Sequence, residues 1–102
     1  MITEVVSKPV YQILNALTGE ARIESALPLA LKELVRLKLQ EAHRHRTSFE
    51  ERYSMDFAAF KKTWDHDKNT AKHSYEIEQD IWEWEAAITD EERYQELLAG
   101  LP

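Results

Sequence analysis

Wound into a helix, residues 75–88 (YEIEQDIWEWEAAI) are apolar on two opposite sides. At about 100° per residue, Ile77, Ile81, Trp84 and Ile88 fall within about 60° of one another, the stripe of a core-facing helix. Tyr75 and Trp82 lie roughly 140–160° from that stripe, with Gln79 and Ala86 beside them. Glu76, Glu78, Asp80, Glu83 and Glu85 fill the flanks. A small domain covers one face of such a helix and seldom both. The second face, built from Tyr75, Glu78, Gln79, Trp82, Glu83 and Glu85, is therefore the expected partner-binding surface. What covers it is a second copy, a different protein, or a long neighbouring helix of the same subunit.

The rest of the pattern is also helical. Val10, Ile13, Leu14 and Leu17 recur at i, i+3, i+4, i+7, with Ser7 available as a cap, Pro9 in the first turn and Gly19 as the stop. Residues 2–6, ITEVV, read as a short strand or an extended lead-in. Pro28 starts the main helix, expected over 28–54, with Leu31, Leu34, Val35, Leu39, Ala42, Phe49 and Tyr53 on one core-facing stripe. Thr47-Ser48-Phe49-Glu50-Glu51 holds two overlapping capping-box spellings, an alternative break point. Asp56 caps a short helix over 56–66 that carries Phe57, Phe60 and Trp64 on one face, with Met55 placed to staple onto Phe60. Residues 65–72 are polar and read as a loop. Ser74 is the candidate cap of the two-faced helix, and Thr89-Asp90-Glu91-Glu92 spells a box that would open a separate terminal helix with Tyr94, Leu97 and Leu98, stopped by Gly100. The expected fold is a single all-α domain over 1–102. It is a compact bundle of four to six helices with one long central helix, an N-terminal element over 1–27 that leaves room for a short strand, and acidic helices over 74–99.

Composition sharpens this. Two glycines and three prolines in 102 residues leave little material for hairpins. The absence of cysteine removes disulfides and thiolate metal sites and suits a reducing compartment. With no signal-peptide pattern and no apolar run near the roughly 20 residues of a membrane span, the expected setting is the cytoplasm, without a membrane. The net charge of −6 hides an asymmetry: residues 75–102 hold nine acids and one base, whereas residues 1–74 hold ten acids and twelve bases. Such an acidic terminal third repels nucleic acid and speeds encounter with a basic partner.

Reaction chemistry is thin. His43 and His45 point roughly 160° apart on a helix, so they cannot chelate one ion as an i, i+4 pair does. Glu41 and His45 have i, i+4 spacing but equally form a surface pair, and Asp65-His66-Asp67 is at most a weak loop site. Arg36 with His43 loosely matches the Arg and His of helical ribonuclease toxins, but both sit on the polar face. No phosphate loop, Gly-x-Ser-x-Gly or cysteine nucleophile is present. The expectation is no enzyme, no cofactor and no metal. A strand-led DNA-binding dimer is disfavoured because its strand, Ile2-Thr3-Glu4-Val5-Val6, carries an acid and no base. A DNA-binding regulator and a structural homodimer pairing through Tyr75 and Trp82 remain as alternatives.

Two spellings carry a family resemblance. FEERYSMDFAAFKKTW resembles a recurring F-E-x-K/R-Y-G-M-S/D-F-x-x-F-x-x-x-W pattern, and SYEIEQDIWEWE resembles the S-Y-E-x-E-x-D-x-W-E-W-E that follows it after a polar gap. Short bacterial proteins of this look are antitoxin-like partners in toxin–antitoxin pairs, and the likeness covers roughly residues 28–88. It implies binding and neutralising a toxin, typically a nucleic-acid-cleaving enzyme with a basic active site. Tyr75, Trp82, Trp84 and the neighbouring acids match the pattern. Ser54 stands where the pattern has glycine, so the turn there requires Ser54 to take a left-handed conformation or another geometry.

Overall fold

The computed structural model describes residues 6–66 and 75–102. The chain is all-α, a helical bundle whose described residues form four helices: α1 (Lys8–Thr18), α2 (Ile23–Tyr53), α3 (Phe57–His66) and α4 (Tyr75–Ala99). The strand reading of residues 2–6 (all but Val6), the loop site around Asp67 and the cap expected from Ser74 lie outside the described residues. Among the described residues there is no strand.

α2 is the spine. It begins at Ile23, five residues before Pro28, after an extended Arg22 whose carbonyl accepts from Ala26 N–H at 2.9 Å. Pro28 is tolerated inside the helix because its missing N–H costs one bond in the second turn, where stray carbonyls still find water. The helix also runs unbroken through Thr47-Ser48, where the Thr47 hydroxyl donates to the Arg44 carbonyl at 3.1 Å instead of capping a new start. α1 folds back on the first part of α2 through a turn at Gly19, whose φ of 72° is left-handed and whose N–H bonds the Asn15 carbonyl. The Tyr11 hydroxyl donates to the Ala21 carbonyl at 2.6 Å and ties that turn down. Ser7 occupies the cap position but its side chain makes no capping bond.

α2 ends at Ser54, which adopts φ 55°, ψ 35°, with its own N–H and that of Met55 both directed at the Glu50 carbonyl. A left-handed non-glycine residue costs about 1 kcal/mol or more. Ser54→Gly should therefore stabilise the protein by about 0.5–1 kcal/mol and raise its melting temperature by a few degrees in a calorimetric scan. Immediately after, Asp56 caps α3 as its sequence requires, its carboxylate accepting from Ala59 N–H at 2.8 Å.

α4 runs antiparallel to α2 and is one helix, not two: the Thr89–Glu92 box lies inside it. Two of its residues pair sideways instead, Asp90 with Arg93 at 3.1 Å and Glu91 with Arg46 on α2 at 2.5 Å. Gly100 ends it, donating to the Glu96 and Leu97 carbonyls.

The core gathers where α2, α3 and α4 meet. Phe49, Phe60, Ile81 and Trp84 are buried, with Tyr53, Met55, Phe57, Trp64, Ile77 and Ile88 packed against them. Trp84 is wholly enclosed, its ring 5.2–5.7 Å from those of Phe49, Tyr53, Phe57 and Phe60.

The other half of the molecule is open. The chain measures 61 × 24 × 22 Å with a radius of gyration of 20.0 Å, against about 13 Å for a compact domain of this length. Of the α1 stripe only Leu14 is buried, while Val10, Ile13 and Leu17 are exposed. The expected α2 core stripe holds through Ala42 and Phe49, but Leu31 and Leu34 are exposed.

Candidate interaction surface

The two sides of α4 separate as its spacing requires. Trp84 is 0% exposed and Trp82, two residues earlier, is 68% exposed. Tyr75 is 76% exposed at the start of the helix. Glu78, Glu83 and Glu85 are exposed and Gln79 is half-buried, so the six expected contact residues share a broad outer arc of α4. Trp82 and Glu85 join Ala86, Thr89 and Asp90 in lining a shallow depression of about 510 Å³. Glu83 lies over the edge in the adjoining groove between α2 and α4, with Lys38, Glu41 and His45 across from it. Tyr75 and Glu78 extend the arc beyond both hollows.

Charge divides along the same line. Asp80, Asp90 and Glu91 are neutralised by Arg52, Arg93 and Arg46 at 2.7, 3.1 and 2.5 Å. Glu76, Glu78, Glu83, Glu85, Glu92 and Glu96 make no ion pair among the described residues. The acids that hold the fold together are thus spent, and those around Trp82 are unpaired among the described residues.

Two polar clusters fasten α4 to α2, and neither is visible in the sequence as a cluster. In the first, the Arg46 guanidinium donates through Nε to Glu91 Oε1 and through Nη1 to Glu50 at 2.8 Å, while His43 Nδ1 lies 2.8 Å from Glu91 Oε2. The Arg46 hydrogen bond, then that of His43, holds the Glu91 carboxyl below the ordinary carboxylate value. In return the Arg46 guanidinium is pushed further up, chiefly by Glu91. In the second, Asp80 accepts from Arg52 at 2.7 Å and from the Tyr53 hydroxyl at 2.5 Å. Burial first, and that hydrogen bond second, push the Tyr53 phenol up to about 12. The i, i+3, i+7 run of His43, Arg46 and Glu50 was the available sign of the first cluster; its partner on α4 was not marked by any spacing.

The Arg36–His43 pairing does not form. Arg36 is held by Glu33 at 2.6 Å, and His43 turns to Glu91. His43 and Glu91 border a cavity of about 470 Å³ with Leu39, Gln40, Arg44 and Gln95. Its one histidine already lies against a carboxylate, and the nearest guanidinium not otherwise engaged is that of Arg44. Among the described residues no group of three or more His, Asp or Glu side chains gathers as a metal site. No described helix is long and apolar enough to cross a membrane. In comparisons with protein-family models, with curated proteins and with solved structures, nothing matches the chain.

Proposed function

We propose that this protein is a non-enzymatic interaction module of antitoxin type, which binds and neutralises a basic, nucleic-acid-cleaving protein through the outer face of α4. The observation that carries the reading is Trp82: a large aromatic side chain, 68% exposed on a helix, ringed by carboxylates that make no ion pair among the described residues. Keeping such a ring in water gives the folded monomer nothing, whereas an aromatic anchor within a charged rim is the usual anatomy of a binding hot spot. A groove that grips an RNA or DNA backbone is positive, and the row Glu78, Glu83 and Glu85 offers it a fixed set of anionic groups in place of phosphates. The spellings shared with antitoxin-like proteins point to the same class of partner.

The test is capture from a lysate of the source cell by tagged protein, wild type against Trp82→Ser, at low and moderate salt. Wild type should retain a basic nuclease, and retention should weaken as salt rises. Trp82→Ser, still fully helical by circular dichroism, should lose about 30-fold in affinity, the roughly 2 kcal/mol of a hot-spot truncation. Equal capture by both chains would remove α4 from the interface.

A further inference from the structure

Two arginines of this chain are held in the same way. Arg52 carries its guanidinium carbon over the Phe49 ring, 5.2 Å from the centroid, while its Nη1 donates to Asp80 at 2.7 Å. Arg93 sits over the Tyr94 ring at 5.6 Å, and its Nη2 donates to Asp90 at 3.1 Å. Each guanidinium thus combines an aromatic ring with a carboxylate. Both arginine side chains are more than half exposed, at 54% and 61%, so the arrangement forms at the surface of this molecule and needs no enclosure. A third grouping of ring and carboxylates lies on the outer face of α4. Trp82 is exposed, with Glu78 four residues before it and Glu85 three residues after, the two spacings that make neighbours on a helix surface. Both carboxylates are exposed and make no ion pair among the described residues, and no described cation lies over the indole. The indole borders the depression of about 510 Å³ that it shares with Glu85, Ala86, Thr89 and Asp90. Ala86, one turn on, contributes only a methyl group to that hollow.

We propose that this hollow seats one arginine of the protein partner, its guanidinium on the Trp82 indole and its N–H groups donating to Glu85, with Glu78 adding negative charge on the other side of the ring. This rests on the outer face of α4 being the partner-binding surface, and it names the group that surface takes. Charge calls for a cation, since residues 75–102 hold nine acids against one base. Shape selects among cations. A guanidinium is planar and weakly hydrated, and it stacks on a ring while donating in its own plane; an ammonium is a compact, strongly hydrated point charge. Arg52 and Arg93 show the same pairing already made within the chain. In a nucleic-acid-cleaving partner, an arginine so held is withdrawn from the phosphate it would otherwise grip.

The test titrates hexa-arginine and hexa-lysine peptides, equal in charge, into the full chain while NMR follows the indole N–H signals of its three tryptophans. Wild type should bind hexa-arginine about two- to fivefold more tightly than hexa-lysine, the gain of an exposed cation–π contact, and the Trp82 signal should move most. Trp82→Leu, with unchanged helicity, should bind the two peptides alike. Glu85→Gln should weaken hexa-arginine binding more than Glu96→Gln, which removes the same charge farther along α4. Equal affinity of wild type for both peptides, a preference that survives in Trp82→Leu, or equal losses from Glu85→Gln and Glu96→Gln would each overturn the arginine seat. It and the proposed function fail separately. Nuclease capture that Trp82→Ser abolishes, without any preference of wild type for hexa-arginine, would keep α4 as the interface and sink the seat alone. A preference for hexa-arginine that Trp82→Leu removes, with no nuclease captured from the lysate, would support the seat and remove the nuclease as its occupant.

Discussion

Trp84→Ala should destabilise the protein by about 3–5 kcal/mol, enough to leave a domain of ordinary stability largely unfolded. The indole fills the meeting point of three helices and touches aromatic rings from two of them: Phe49 and Tyr53 on α2, Phe57 and Phe60 on α3. Truncation removes the ring and leaves a void that these four rings can close only by tilting out of their present packing. α3 suffers most, because its hold on the molecule runs through Phe57 and Phe60 in this same cluster. Trp84→Phe should cost markedly less. It keeps most of the volume, and it removes an indole Nε1 that is buried without a hydrogen-bond partner among the described residues, a group whose burial is itself unfavourable. Trp82→Ala, two residues away, should change stability by no more than about 0.5 kcal/mol. Urea unfolding followed by circular dichroism separates the three variants, and equal losses for Trp82 and Trp84 would refute the division of α4 into an inner and an outer face.

That division was legible because it depends on helical period alone. Two tryptophans two residues apart point about 160° from each other on any α-helix, so one of them had to face away from the three isoleucines. The aromatic face of α3 and its Asp56 cap were legible for a similar reason: each is decided within one turn of chain. Length was not. Leu31 and Leu34 carry the same periodic signal as Phe49, and whether a stripe is covered depends on how far a helix from elsewhere in the chain extends. The same applies to the box at Thr89, whose spelling is a sound helix start yet lies inside α4; nothing within those four residues shows that the helix has already begun at Tyr75. Pro28 misled because proline is preferred at a helix start yet tolerated a turn later, and Ala26 and Leu27 just before it are good helix formers. Local rules described each segment well, and the errors lie where one segment ends against another.

The Arg46–Glu91 pair is where the largest polar effect is expected. Arg46→Ala should cost about 2–3 kcal/mol, because it strips the three-quarters-buried guanidinium from Glu91, whose side chain is only 14% exposed, and leaves that carboxylate with His43 alone. Glu91→Gln should cost less, about 1 kcal/mol, since an amide in the same place is not a stranded charge and Arg46 keeps Glu50. The pair also fixes how the fold responds to acid. Arg46 and His43 hold Glu91 below its ordinary value of 4.5 in the folded protein, whereas the unfolded chain titrates near that value. The unfolded state therefore takes up the proton first. The stabilisation is complete above the unfolded value and is lost as the pH falls from there through the lowered folded value. Urea midpoints at pH 7 and pH 3 should thus fall more steeply in the wild type than in Glu91→Gln. Arg46→Ala, having lost the main cause of the depression, should share the shallower slope. If all three chains lost stability in parallel between those two pH values, the clasp between α2 and α4 would owe nothing to the charge on Glu91, and packing around Trp84 alone would be holding the two helices together.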